Sequence, residues 1–213
     1  MHLPHRKPIE VPREIRTERL VLRPQRKGDA ATIFAAIAES RHHLSQWLAW
    51  VPEVQSAHDM MPSCETAEFD WARGADFRVA IIDASNGRYL GHCGLHYPNW
   101  DVRSFEIGYW LRESAIGQGF MTEAVGGLTA YAFETLKARR VEIHCDPNNF
   151  RSGRVAERNG YTLEGRLRNA RLTPDGNLRD TLVYGMTEGD WAAHLWADSI
   201  ANTCPVLSQE TGQ

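Results

Sequence analysis

The sequence lacks the run that a membrane helix needs: nowhere in its 213 residues do 18 uncharged apolar residues follow one another. The first dozen residues, MHLPHRKPIEVP, hold no apolar centre of the kind a secretory signal requires, so the expected location is the cytoplasm. Cysteine is sparse. The four, Cys64, Cys93, Cys145 and Cys204, stand far apart with no CxxC spacing, which argues against a disulfide framework and against a zinc site. The nine histidines are scattered, and the closest pair, His42 and His43, would diverge by about 100° on a helix, so no metal is expected. Positive charge is not in excess either: 24 lysines and arginines face 27 aspartates and glutamates, for a net charge of −3. Such a chain has no global basic field with which to hold a nucleic-acid backbone or an anionic membrane face.

What is present is an ordinary globular composition, 42% hydrophobic, with enough apolar residues for one sizeable core. Residues 14–190 are expected to form a single domain, with tails at 1–13 and 199–213, where apolar periodicity is missing. No internal repeat or linker-like tract divides the chain.

Residues 15–23, IRTERLVLR, alternate as a strand. Gly28 and Asp29 open the apolar-spaced AATIFAAIAES, a second helical stretch HHLSQWLAWVP ends at Pro52, and SCETAEFDWARG reads as a further helix with Ser63 and Thr66 as cap candidates and Gly74 as its stop. FRVAIID and RYLGHCGLH flank Asn86-Gly87, a hairpin signal. RSFEIGYWLR sets Phe105, Ile107, Tyr109 and Leu111 on one face against Glu106, Gly108 and Trp110 on the other. ESAIGQG then leads into the helical run FMTEAVGGLTAYAFETL. RRVEIHC is a strand, NFRSGRVAERNG a short helix closed by Gly160, and YTLEGRLRNARL with NLRDTLVYGM a long hairpin around Pro174-Asp175-Gly176. Hairpins early and late, with alternating strands and helices between, predict an α/β fold with a mixed sheet rather than a wholly parallel one.

The strand, glycine loop and helix around residue 117 carry the chemistry. A helix start leaves about four backbone amides without internal partners and carries roughly half a positive charge, so it attracts phosphate oxygens. Gly117 and Gly119 let the main chain come close there, and Phe120, Met121 and Thr122 begin the helix, with the Thr122 hydroxyl in reach of a further oxygen. Two glycines before a helix can also be no more than a tight turn. There is no Gly-Lys-Ser/Thr ending for a nucleoside triphosphate, and the dinucleotide pattern GxGxxG fails at Thr122.

The passage from FEIGYWLR through ESAIGQGFMTEAVGGLTAYAFETL to CDPNNFRSGRVAERNGY and LVYGM resembles the GNAT acetyltransferase superfamily, in its branch of RimJ- and RimL-type ribosomal-protein N-terminal acetyltransferases. The resemblance extends back to IRTERLVLRP and covers about residues 14–190. It implies a central twisted mixed sheet of about six to seven strands flanked by helices, with a splayed pair of strands holding acetyl-CoA. The superfamily's loop ends here in Gly117, Gln118 and Gly119, while Ser114 stands where Arg or Gln is frequent. By resemblance, the backbone from Ile116 to Met121 takes the pyrophosphate, Tyr109, Trp110, Leu111 and Arg112 pair with the pantetheine arm, Asn149 contacts that arm, and Ser152 lies near the sulfur. Many members place a proton-donating tyrosine where this chain has Ala156.

The implied reaction is transfer of acetyl from acetyl-CoA to a primary amine by direct attack, with a protein N-terminal α-amine as the first acceptor. A small amine (polyamine, amino acid or aminoglycoside) or a non-catalytic acetyl-CoA-binding module is the alternative. Such transfer needs a neutral amine, a polarised carbonyl and a stabilised thiolate. Glu106 is the candidate to take the amine proton, although alternation alone would also put a polar side chain there. Ser152 is the candidate donor to the thiolate, or a helix N-cap. Asn149 could instead brace the Asp146-Pro147 turn, and Cys145 is a core thiol or a nucleophile. Trp47, Trp50, Trp71, Trp100, Met60 and Met61 lie where an acceptor groove is expected, as core or as its wall. No nucleic-acid or membrane partner is expected, and the chain would act as a monomer or homodimer.

Overall fold

The computed structural model describes residues 14–194. The expected tails at 1–13 and 199–213, and Cys204, lie outside the described residues. Eight strands form one sheet in the order β1-β2-β3-β4-β5-β6-β8-β7. They are β1 (Ile15–Arg16), β2 (Leu20–Pro24), β3 (Phe77–Asp83), β4 (Tyr89–Asn99), β5 (Ser104–Leu111), β6 (Arg140–Cys145), β7 (Thr162–Leu172) and β8 (Leu178–Thr187). All neighbours run antiparallel except β5 and β6. The count exceeds the six to seven expected because residues 15–23 are not one strand: the Thr17 N–H donates to the Leu20 carbonyl at 3.0 Å, and the resulting turn folds β1 back on β2.

Side-chain alternation on the sheet divides the interior in two. Phe105 and Ile107 of β5 point into the larger core, which includes Met121, Val125 and Leu128 of α3 (Phe120–Glu134) and Ala156 of α4 (Phe150–Arg158). Trp110, of opposite parity, joins Ile33 and Ile37 of α1 (Ala30–Leu44) and Cys64 of α2 (Ala57–Arg73). A last helix, α5 (Glu188–Ala193), stacks Trp191 on Phe133 with ring centroids 5.6 Å apart.

Two helix boundaries differ from the expectation. The stretch HHLSQWLAWVP is helical only to Leu44, because Arg41 donates to the Val51 and Val54 carbonyls and pulls the chain back into a 3-10 turn at Val51–Glu53. Helix α2 starts seven residues before Cys64 and is capped by Ser56, not Ser63 or Thr66, with Ser56 and Asp59 forming a capping box and Pro62 inside the helix. Gly74 ends it in the left-handed conformation, φ 64°, as expected.

The feature that positions the site is the junction of β5 and β6. Only three residue pairs join them, Ser104 to Arg140, Phe105 to Val141 and Glu106 to Glu142. Beyond Glu106, β5 stays bonded to β4 while β6 stays bonded to β8, and the two strands part.

Candidate active site

The parting strands open a cleft of about 520 Å³, whose walls include Ile107–Leu111 of β5, Cys145 at the end of β6, the start of α3 and the first turns of α4. The Arg112 N–H donates to the Leu90 carbonyl on β4 at 2.8 Å. Peptide groups alternate sides along a strand, so those of Tyr109 and Leu111 face the opposite way, into the cleft. They form a bare strand edge.

At the head of α3 the chain turns through Gly117 (φ 82°) and Gly119 (φ 83°), a conformation that side chains with a Cβ rarely adopt. Among the described residues, none accepts a hydrogen bond from the backbone amides of Gly117 through Thr122; the first helical bond is Glu123 N–H to the Gly119 carbonyl, 3.1 Å. A Cβ on Gly117 would meet nothing within 4 Å, so the cleft side of the turn is open. The turn is held from behind. Glu123 accepts from the Thr17 hydroxyl at 2.6 Å and from the Arg19 backbone and side chain at 2.7 Å, and Arg19 donates to the Gln118 carbonyl at 3.0 Å. The Arg19 guanidinium also covers the Phe120 ring, 4.7 Å from its centroid. Dipole, free amides and open space together make a site for a phosphate-bearing ligand.

Deeper in the cleft, the Ser152 hydroxyl donates to the Tyr109 hydroxyl at 3.0 Å, and Tyr109 donates to the Ser152 carbonyl at 3.0 Å. Burial pushes the Tyr109 phenol well above its usual range, with the Ser152 hydrogen bond opposing, so it stays protonated and able to donate. Ser152 is not the helix cap: Asn149 is, its side chain accepting from the Ser152 N–H at 3.2 Å. The Asn149 N–H also closes the turn onto the Asp146 carbonyl, 2.9 Å. Cys145 lines the same region, but burial pushes its thiol up to about 11, against a nucleophilic thiolate at neutral pH. Ala156 is fully buried and offers nothing to the cleft. Where many superfamily members have a phenol on α4, the phenol beside Ser152 in this cleft is that of Tyr109 on β5.

At the crotch of the two strands, Glu106 accepts from Arg171 of β7 at 3.3 Å and lies 3.2 Å from His144 Nδ1. His144 Nε2 lies 2.9 Å from Glu142. His144 was missed by sequence reasoning. Its parity with Glu142 in RRVEIHC was visible, but the register that sets Glu142 beside Glu106 was not.

Of the residues singled out from sequence, Glu106, Tyr109, Leu111, Ile116, Gly117 and Gly119 line the cleft, as do Phe120, Met121, Thr122, Asn149 and Ser152. Trp110 borders it through the strand, while its ring packs in the core against Tyr89 at 6.1 Å and Trp50 at 6.4 Å. Arg112 and Gln118 do not line it: Arg112 bonds Glu39 and the Tyr89 carbonyl, and the Gln118 side chain donates to the Ser114 carbonyl. Ser114 is tied to Glu39 at 2.6 Å. Trp71 and Trp100 belong to the larger core and Met60 and Met61 pack on the smaller, whereas Trp47 reaches the cleft. Among the described residues no cluster of three or more His, Cys, Asp or Glu could hold a metal ion, and no helix is long and apolar enough to cross a membrane.

A family model described as an acetyltransferase (GNAT) domain matches residues 19–162. The chain belongs to the GNAT acetyltransferase family. YdaF of Bacillus subtilis (strain 168) is 32% identical over 178 residues, 82% of this chain and 94% of that one. The ribosomal-protein-serine acetyltransferase of Escherichia coli (strain K12) is 28% identical over 159 residues, 75% and 88% of the two chains. Among solved structures, RimL, a ribosomal L7/L12 alpha-N-protein acetyltransferase in complex with coenzyme A, matches with a TM-score of 0.77 at 25% identity over 82% of this chain and 97% of that one. This GNAT protein is thus an acetyltransferase, with the RimL-type sheet and helices around the cleft described above.

Proposed function

We propose that this GNAT protein, acting in the cytoplasm, transfers acetyl from acetyl-CoA to the N-terminal α-amine of a ribosomal protein. The observation that carries this is the row of free amides from Gly117 to Thr122 beside a bare strand edge. In this reading the amides hold the diphosphate, the Tyr109 and Leu111 peptide groups pair with the pantetheine amides as a strand pairs with its neighbour, and the thioester reaches Tyr109 and Ser152. Glu106 takes the proton that an α-ammonium, with a pKa near 8, must lose before it attacks. The Ser152 and Tyr109 hydroxyls deliver a proton to the departing thiolate and are reprotonated by the second N–H proton, which the nitrogen loses as the amide forms. Relatives named for ribosomal-protein and alpha-N-protein acetylation support a protein amine as acceptor.

The test is an acceptor screen with free-thiol detection. Peptides with a free N-terminal serine or alanine should be acetylated faster than spermidine, free amino acids or aminoglycosides. Preference for any of those small amines would replace the protein acceptor, and CoA binding without turnover on any amine would leave only a binding module.

A further inference from the structure

A line of ionisable side chains runs from the crotch of β5 and β6 to the outer surface, and the acetyl-transfer steps above use only its first member. Glu106 stands on β5 with its side chain 18% exposed, and His144 on β6 is 16% exposed with Nδ1 3.2 Å from Glu106. Its Nε2 is 2.9 Å from Glu142, which is 28% exposed. Glu142 in turn accepts from Arg140 Nε at 2.5 Å, and Arg140 pairs with Glu164 of β7, the most open member at 37%. Glu106 and His144 are the least exposed members, and exposure rises from them through Glu142 to Glu164 at the surface. One imidazole thus bridges two carboxylates, one facing the reaction and one facing water.

The proposed reaction releases a proton at Glu106 in each cycle, because an ammonium enters and an amide leaves. A carboxylic acid that keeps this proton cannot accept the next. We infer that His144 is the outlet: Glu106 passes the proton to His144 Nδ1, the Nε2 proton moves to Glu142, and Glu142 gives it to water. The balance is closed, with one proton arriving from the substrate, one leaving to solvent, and Glu106 and Glu142 each returning as carboxylates. Rotation of the ring or exchange with solvent resets the tautomer.

The other charged groups packed around the line fit this task. Arg171 of β7 donates to Glu106 and comes within 3.4 Å of His144 Nδ1, offsetting the negative charge of the two carboxylates. Arg140 does the same for Glu142. On β4, His96 is in register with Glu106, but its Nδ1 is engaged by Asp76 at 2.6 Å and its ring lies over Gly94 and Gly108, so it is not a member of the line. His144 touches Glu106 rather than the reacting atoms, and is a positioning and relay residue.

This inference rests on the proposed amine acetylation, and the experiment separates the two. Wild type, H144Q and E142Q are assayed by thiol release with acetyl-CoA and either a decapeptide bearing a free N-terminal serine or spermidine, at pH 7 and pH 9. Wild-type turnover on either amine supports acetyl transfer. For the relay, H144Q should lower kcat about tenfold or more at pH 7 and only about twofold at pH 9 on the peptide, where its α-amine is already largely neutral. The KM for acetyl-CoA should not change, and E142Q should show the same pH pattern more weakly. A structural role would instead lower kcat equally at both pH values. That result, or wild-type kcat in H144Q, overturns the relay while leaving acetyl transfer standing; a wild type that acetylates neither amine removes both.

Discussion

The Tyr109 hydroxyl and the Ser152 hydroxyl lie 3.0 Å apart across the cleft, one borne by β5 and the other by α4. Two elements that belong to opposite walls thus meet at a pair of hydroxyls, with Tyr109 also donating to the Ser152 carbonyl, and either hydroxyl can supply a proton at that point. If they serve the departing thiolate as a unit, Tyr109→Phe and Ser152→Ala should each lower kcat by roughly 10- to 100-fold, within the range of general acid catalysis. The double variant should fall little further, a coupling that a double-mutant cycle on thiol release would measure. Strictly additive losses would show that the two hydroxyls act apart.

Gly119 sits in the left-handed region at φ 83°, where an added Cβ would lie 3.3 Å from Arg19 Nη2 and close to nothing else. Gly119→Val should strain the backbone by about 1–3 kcal/mol and turn the amides away, raising the Kd for coenzyme A at least tenfold by calorimetry. Gly176→Val supplies the control. At φ 85° with open space around it, in the β7–β8 turn, it carries comparable strain but should leave coenzyme A affinity unchanged.

Glu106→Gln keeps shape while removing the proton acceptor. Turnover at pH 7 should fall by about 100-fold, with coenzyme A affinity unchanged and the thermal midpoint lowered by no more than about 2–4 °C through the weakened pairing with Arg171. A variant with full activity would move the base role elsewhere in the cleft.

Glu39 on α1 offers a test of stability rather than catalysis. Arg112 chiefly, and Ser114 after it, pull its carboxyl down to about 2 from an ordinary 4.5, with burial working the other way. A carboxyl whose folded pKa is depressed stabilises the fold above its unfolded pKa and loses that contribution as pH falls through the folded one. The Glu39 side chain is 30% exposed, so screening leaves about 1 kcal/mol. Glu39→Gln should therefore melt about 2–4 °C below wild type at pH 7, and the gap should close between pH 4.5 and 2.

Much of this architecture was legible because it depends on local pattern. Alternation in RSFEIGYWLR located β5, Asn86-Gly87 and Pro174-Asp175-Gly176 marked two hairpins, and Gly117 and Gly119 marked the turn before α3. What stayed hidden depends on partners distant in the chain. Side-chain parity says nothing of where two strands stop pairing, so the parting of β5 and β6 after Glu106 could come only from the family resemblance. The brace of Arg19 on Glu123 spans 104 residues, and no local motif announces it. Arg112 is implied by resemblance as the end of the cofactor strand, and the pairing of its guanidinium with Glu39, 73 residues away, has no local signal. His144 shares a face with Glu106 only once the register of two strands separated by a whole helix is fixed.

The three rungs between Ser104–Glu106 and Arg140–Glu142 also bear on mechanics. A five-strand block and a three-strand block meet along a seam that is fastened at one end and unzipped at the other. In the proposed binding mode a thioester arm laid against the bare edge of β5 replaces the missing rungs, so that the donor acts as a stitch as well as a reagent. Heating should tear the empty protein along this seam first, whereas the loaded protein should melt as one piece.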